Sequence, residues 1–345
     1  MTRRREILYG AAAAAALAAR PGALRAQGGA ATPVRFGWQP TTTVQAQIAH
    51  TLARTDVLER NRLSGTATMF SFGPAVNEAL LSGAVDLGFI GDMPSVALTA
   101  TGAPVTVLAR MSTFRGSILA TPASGIGGVA DLKGKKLHGP FGSSIYLAAL
   151  AMIRQAGLQP GRDVEMVNMA FPDIADALRA GRVDAVFVWD PWIALYEANG
   201  LAKVVASDTG LTMVVAARND WLRANPDAAE RFLRAQKEAL VWAAANKPVA
   251  NRWFRDPEPA RALPEALVEQ TTGFDPQWGA RGLGDVRVAF AAAEKERYQA
   301  LARAAHEMRI TPRLSPVAER LEMTAAERVD AAPWAFDPAS LKVKG

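Results

Sequence analysis

A two-lobed α/β fold is the architecture this sequence predicts, and three observations predict it. Short β-like runs alternate with helical stretches from residue 34 to residue 217. That alternation is the pattern of parallel strands covered by helices. One αβ unit occurs twice: residues 74–92 and 172–190 align without gaps at an offset of 98, sharing Pro74/Pro172, Ala79/Ala177, Leu80/Leu178, Gly83/Gly181, Val85/Val183, Asp86/Asp184, Phe89/Phe187 and Asp92/Asp190. With 345 residues, 50% hydrophobic and 21% charged, the chain holds enough apolar material for two cores.

In chain order, residues 34–38 read as a strand, 43–55 as a helix, 66–70 as a strand, 75–81 as a helix, 85–90 as a strand and 94–101 as a helix. Two further strands are expected at 105–111 and 116–121. The pattern then restarts. Residues 131–136 lead into a short strand, followed by a helix over 144–155, a strand at 164–168, a helix at 174–180, a strand at 183–188 and a helix at 191–199. Strands at 203–206 and 211–217 complete it. From Asp220 the text is almost wholly helical, with a break at Asn225-Pro226. The last thirty or so residues, rich in Pro and Ala, read as a loosely attached tail with a short helix at 325–329.

Each repeated unit has a local rationale. A glycine ends the helix, a turn with aspartate leads into a buried strand, and a second aspartate falls where the next helix starts, a good N-cap position. The alternative is that the two stretches are generic αβ units.

The N-terminus reads as a cleaved export signal over residues 1–30. Arg4-Arg5 precede Glu6 and the apolar pair Ile7-Leu8, a short alanine-rich run follows, and small residues surround the exit. The paired arginines resemble the twin-arginine class of signal; an arginine-rich Sec signal is the alternative. The apolar run is too short to span a bilayer. Absence of cysteine excludes lipid attachment at an N-terminal cysteine. The expected product is therefore an exported, unanchored periplasmic protein. Of the formal net charge of +6, +4 lies in residues 1–26, and no basic run with interleaved aromatics follows, so no nucleic-acid partner is expected.

Ligands of open α/β sheets bind beyond the carboxyl ends of strands, where helices begin. Four such junctions stand out: 39–43, 91–95, 139–144 and 189–192. Gly142-Ser143-Ser144 is the best anion site, since glycine lets backbone approach closely, the serines carry hydroxyls and the helix start presents free N–H groups. The alternative is that Ser143 only caps its own helix. Thr41, Thr42 and Thr43 offer hydroxyls from the other lobe, or cap theirs. Asp92 and Asp190 suit capping better than contact with an anion. Trp38, Phe141, Trp189 and Trp192 are candidates to wall the pocket.

These runs resemble a known family. Residues 83–92 (GAVDLGFIGD), 131–136 (DLKGKK), Gly142-Ser143-Ser144, Gly181-Arg182-Val183-Asp184 and Trp189-Asp190-Pro191 look like the nitrate/sulfonate/taurine-type substrate-binding proteins of ABC importers, in matching order over residues 34–245. The aliphatic-sulfonate branch is the most similar. The resemblance implies a type II periplasmic-binding-protein fold: lobe 1 from 33–112 plus 216–310, lobe 2 from 113–215, two hinge crossings near 111–116 and 212–218, a helical C-terminal extension and a tail over 311–345. It implies a small organic anion, a sulfonate first, held between lobes that close around it, and a permease with its ATPase as partners. A nitrate, carboxylate or aromatic acid is the alternative solute. The ligand-binding set is Gln39, Thr41, Thr42, Asp92, Met93, Phe141, Gly142, Ser143, Ser144, Trp189 and Asp190. A monomer without cofactor or metal is expected.

Two other classes fit the sequence less well. A pyrimidine-synthesising branch resembles this family in fold, but relies on a cysteine-rich motif, and this chain has no cysteine. His50, His138 and His306, its three histidines, form no metal spacing or triad. A sensory domain would need an attached output module.

Overall fold

The computed structural model describes residues 30–332 and 334–344. The export segment expected over 1–30 therefore lies outside the described residues, except for Ala30.

The first half of the sheet is built from βα units. Strand β1 (Thr32–Trp38) buries Val34, Phe36 and Trp38 and leaves Arg35 outward, the alternation of a half-covered strand. Helix α1 (Thr43–Arg54) and the short α2 (Val57–Arg60) return the chain to β2 (Leu63–Met69). Helix α3 (Gly73–Ser82) starts on Pro74 and stops at Gly83, whose φ of 76° is open to glycine at little cost. Strand β3 (Leu87–Gly91) is buried along its whole length, and α4 (Asp92–Ala100) follows at once.

The second half repeats the plan with β5 (Lys136–Gly139), α5 (Ser144–Gln155), β6 (Glu165–Asn168), α6 (Ile174–Arg179), β7 (Ala185–Trp189) and α7 (Trp192–Ala198). Two 16-residue strands join the halves: β4 (Val105–Ala120) and β8 (Lys203–Arg218). The sheet order is β2-β1-β3-β8-β4-β7-β5-β6. Read from either edge inward, it is the same arrangement. Inner strand β3 pairs parallel with β1 and antiparallel with β8; inner strand β7 pairs parallel with β5 and antiparallel with β4. The two copies of the sequence repeat thus occupy equivalent places.

Two expectations need correction here. Parallel strands were expected throughout, and one mixed eight-stranded sheet is found, because β4 and β8 run antiparallel to their neighbours. The strands read separately at 105–111 and 116–121, and at 203–206 and 211–217, are each one long strand. Polar Ser112, Thr113, Asp208 and Thr209 interrupt the apolar pattern, but the ladder passes through them with register shifts, including one between Phe114 and Gly116. Beyond that shift β4 takes β7 as its outer neighbour, from Gly116 to Ala120. Opposite, β8 takes β3 as its outer neighbour only from Met213 to Ala217.

The rest of the chain covers the first half. It runs through α8 (Asn219–Ala224), α9 (Ala228–Ala245), α10 (Lys247–Arg255), α11 (Glu265–Thr272), α12 (Ala292–Glu307), α13 (Val317–Arg320) and α14 (Thr324–Ala331). Phe232 on α9 packs edge-on to Phe36 and tilted to Phe89, centroids 6.0 Å from each. Full burial of each such ring contributes about 1.5–3 kcal/mol. The expected loose tail is instead docked. Thr55 bridges to Val343, the Asp56 amide donates to the Lys342 carbonyl at 3.0 Å, and the Lys344 amide donates to the Arg54 carbonyl at 2.8 Å. Asp330 takes Lys237 at 2.8 Å and the amides of Val288 and Ala289. Composition hid this, because the anchors are backbone groups and single side chains spaced along an otherwise polar stretch.

Candidate functional site

A cavity with roughly 320 Å³ of empty space, open solvent included, lies where the carboxyl ends of β1, β3 and β7 meet the starts of helices. Its walls come from both halves of the sheet. Gln39, Thr42, Phe72, Gly73, Gly91 and Pro94 are contributed by the first, and Ser143, Ser144 and Trp189 by the second; Phe114 and Met213 come from the long strands. None of these lining residues is charged.

Four helices begin on this wall. Thr42, Phe72, Gly91 and Ser143 occupy the positions just before α1, α3, α4 and α5. The first amides of a helix have no acceptor within it, and the helix dipole leaves partial positive charge there. Thr42 and Phe72 make no side-chain cap bond, nor has Gly91 a side chain to make one. Ser143 does cap: its hydroxyl accepts from the Tyr146 amide at 3.3 Å and donates to the Pro140 carbonyl at 2.7 Å. That answers one open question about this residue, for its side chain is occupied by its own helix. The neighbouring Ser144 Oγ is buried and makes no hydrogen bond of good geometry among the described residues, though it lies close enough to the Asp92 carboxylate to lower that group's pKa. It sits against Gly91, where an added Cβ would come within 2.4 Å of it. Thr41 Oγ1 is buried and unpartnered among the described residues. The arrangement can therefore hold a small anion by backbone amides and one or two hydroxyls, without a counter-cation.

The tryptophans close one side. The indole N–H of Trp189 donates to the Thr41 carbonyl at 2.8 Å, and that of Trp192 to the same oxygen at 3.2 Å. One carbonyl of the first half is thus held by two rings of the second. Trp189 also stacks on Phe171 at 4.9 Å.

The expected residues separate into three groups. Gln39, Thr42, Ser143, Ser144 and Trp189 are brought together on the cavity wall. Thr41 and Gly142 flank it in sequence; Gly142, at a φ of 76°, turns the chain into α5. Asp92, Met93, Phe141 and Asp190 are not on the wall. Met93 is fully buried in the apolar core beneath α4. Phe141 stacks on Tyr146 at 4.2 Å. Asp92 and Asp190 are both buried; Asp92 differs from the capping role read for it, whereas Asp190 also interacts with the Ala194 amide in the first turn of α7. Asp92 accepts from the Thr212 amide at 3.1 Å and from Met93 at 2.7 Å, tying α4 to β8. Burial pushes its carboxyl pKa up, opposed by the adjacent Ser144 hydroxyl and those amides. Asp190 receives Arg115 in two bonds, at 2.7 and 3.0 Å. Burial pushes its pKa up as well, against the pull of that guanidinium. Of the other aromatics considered, Trp38 packs against His50 at 4.7 Å and Trp192 edge-on to Phe171, both inside the core.

Phe72, Gly73, Phe114 and Met213 line the cavity without having been expected there, and Gly91 and Pro94, inside the expected junction 91–95, line it without having been named as ligand contacts. Gly91 carried a readable signal, a Cβ-less residue between a buried strand and a helix start, where something approaches the backbone closely. Among the described residues no cluster of three or more His, Cys, Asp or Glu side chains could hold a metal ion. No helix among them is long and apolar enough to cross a membrane.

With that geometry in view, similarity to known proteins becomes informative. A family described as NMT1/THI5 like matches residues 73–250, a little over half of the chain. The chain belongs to the NMT1/THI5-like family. The segment this family shares with the chain holds both copies of the repeat and the α5 start, but not β1 or the threonines before α1. Among individual NMT1/THI5-like relatives, the taurine-binding periplasmic protein of Escherichia coli strain K12 is 28% identical over 194 residues, 55% of this chain and 59% of that protein. The chain thus matches less than two thirds of that relative's length. Among solved structures, the alkanesulfonate-binding protein SsuA of Xanthomonas axonopodis pv. citri, bound to MOPS, superposes with a TM-score of 0.71 at 24% identity. It covers 85% of this chain and 99% of its own. The periplasmic aliphatic sulphonate binding protein SsuA of Escherichia coli gives 0.69 at 23%, covering 84% and 92%. The fold of this NMT1/THI5-like chain is therefore the periplasmic-binding-protein fold.

Proposed function

We propose that this chain is the periplasmic solute-binding component of an ABC importer and that it carries a small organic anion, a sulfonate first among them. The observation that carries the reading is the cavity wall: four helix starts, the buried Ser144 hydroxyl and no charged side chain. A cationic solute would find no carboxylate on this wall, and a neutral one would leave the convergent partial charges uncompensated. The names of the taurine- and sulfonate-binding proteins it resembles support the solute class, and their naming as binding proteins supports carriage rather than catalysis.

The proposed action is closure. Lobe 1 (33–112 plus 216–310) and lobe 2 (113–215) turn about the two long strands, and a ligand touching both lobes favours the closed form. A permease and its ATPase receive that form. Export by the arginine-bearing leader, release without a lipid anchor and action as a monomer complete the proposal.

A thermal-shift screen of sulfonates, taurine, nitrate and carboxylates, with neutral analogues as controls, tests it. An anion at 100 times its dissociation constant should stabilise the fold by about 2.7 kcal/mol. Ser144→Pro sharpens the test. Proline is tolerated at the first position of a helix, and Ser143, at φ −78° and ψ 161°, already has the extended backbone that must precede it. The variant should fold and bind the anion about tenfold or more weakly, having lost one N–H and one hydroxyl. Unchanged affinity would put the head group elsewhere, and shifts by neutral solutes alone would end the anion reading.

A further inference from the structure

A second recess, with about 1060 Å³ of empty space including open solvent, adjoins the cavity. The two share Phe72, and Trp189 on the cavity wall stacks on Phe171 of the recess at 4.9 Å and 20° between planes. The recess is walled by flat apolar groups: Met69, Phe70, Phe72, Phe171, Pro172 and Pro259. They come from three stretches of chain, and Pro259 lies beyond the family-matched segment, which ends at residue 250. Met69 is 48% exposed, an apolar side chain left in solvent beside a ligand cleft.

We infer that the bound anion carries a bulky, ring-bearing apolar group, which lies in this recess while the charged head rests at the start of α5. This rests on the reading of the cavity as an anion site and narrows its solute. The recess presents phenyl and pyrrolidine faces on which a ring stacks, and a thioether for its edge. An aminosulfonate such as taurine finds no suited partner there. The single carboxylate on the recess wall, Glu258, pairs with Arg261 at 3.7 Å, both side chains more than two-thirds exposed. Amides fix where the anion sits, and apolar area decides which anion stays.

Titration calorimetry of the purified chain with ethanesulfonate, taurine, benzenesulfonate and naphthalene-2-sulfonate tests the inference. Affinity should rise from ethanesulfonate through benzenesulfonate to naphthalene-2-sulfonate, by about tenfold or more across the series. Met69→Gln, at an exposed position, should cut the affinity for naphthalene-2-sulfonate by at least about threefold more than that for ethanesulfonate. A flat or reversed series, taurine as the tightest ligand, or an equal loss across all four in the variant would overturn the inference while leaving the anion site standing. Failure of all four to bind would remove the anion site itself, and the inference with it.

Discussion

At equivalent positions the two halves of the sheet carry different chemistry. Gly91 and Trp189 end the corresponding strands β3 and β7, and both line the cavity; one supplies empty space and bare backbone, the other a ring that reaches across to Thr41. Thr42 and Ser143 precede α1 and α5, each of 12 residues. The threonine leaves its helix uncapped, and the serine caps its own. Asp92 and Asp190 are both buried, yet only Asp190 has an ion pair among the described residues. The lesson is that one backbone plan, used twice, need not give two equal binding surfaces. The first half offers three helix starts and room, and the second offers the α5 start, rings and a neutralised charge.

The comparison can be broken most decisively at the aspartates. Arg115→Ala should cost about 3–5 kcal/mol in denaturant unfolding, because it strands a buried carboxylate, and it also removes the guanidinium lying 4.5 Å over the Phe274 ring. Asp92→Asn strands no cation and should cost less than about 2 kcal/mol. Equal costs would mean that the two aspartates are equivalent after all.

Acid should separate the halves next. Burial drives the His50 pKa on α1 from 6.5 down to about 3, while the equivalent point on α5 is Ala151. The folded chain therefore refuses a proton that the unfolded chain accepts. The stability this gives is complete above the unfolded value and is lost as pH falls from 6.5 toward 3. Between pH 6.5 and 4.5 the loss should be about 2–3 kcal/mol, and His50→Phe should abolish it. Hydrogen exchange on the intact protein should show the first half loosening ahead of the second; uniform loosening would contradict the asymmetry.

The smallest test concerns the space left by Gly91. At φ −70° alanine is conformationally acceptable there, but its Cβ would fall 2.4 Å from Ser144 Oγ. Gly91→Ala should weaken binding of an anionic ligand about tenfold, or about 1.4 kcal/mol, in calorimetry. Adding Ser144→Gly should relieve the clash but not restore the lost hydroxyl. Full affinity in the single variant would show that Ser144 moves freely and is no part of the recognition.

Much of this was legible in the sequence, for physical reasons. Helix α5 runs over 144–155 as read, because Ser143 is a cap with extended backbone and the apolar positions behind it keep helical period. The repeat was visible because buried strands and glycine stops constrain residue identity strongly. The long strands were not, since a ladder tolerates polar residues such as Ser112 and Asp208 that break an apolar run. At the cavity, residues chosen for their polarity divided according to direction. Ser144 faces the space, while Asp92, one residue beyond Gly91, turns to the Thr212 amide. Sequence spacing says which residues begin a helix, but a shift of one residue turns a side chain through about 100°, and Met93 went into the core by that margin. Phe72 and Met213 escaped notice because apolar side chains at a rim look the same in sequence as those in a core.

Strands β4 and β8 each begin in one half of the sheet and finish in the other. Neither half, cut out as a contiguous stretch of gene, would carry its own complete sheet: residues 31–112 alone would lack the β8 ribbon beside β3. The halves are thus woven rather than strung together. Expressed alone, the first stretch would leave an edge of β3 with its N–H and C=O groups unpaired.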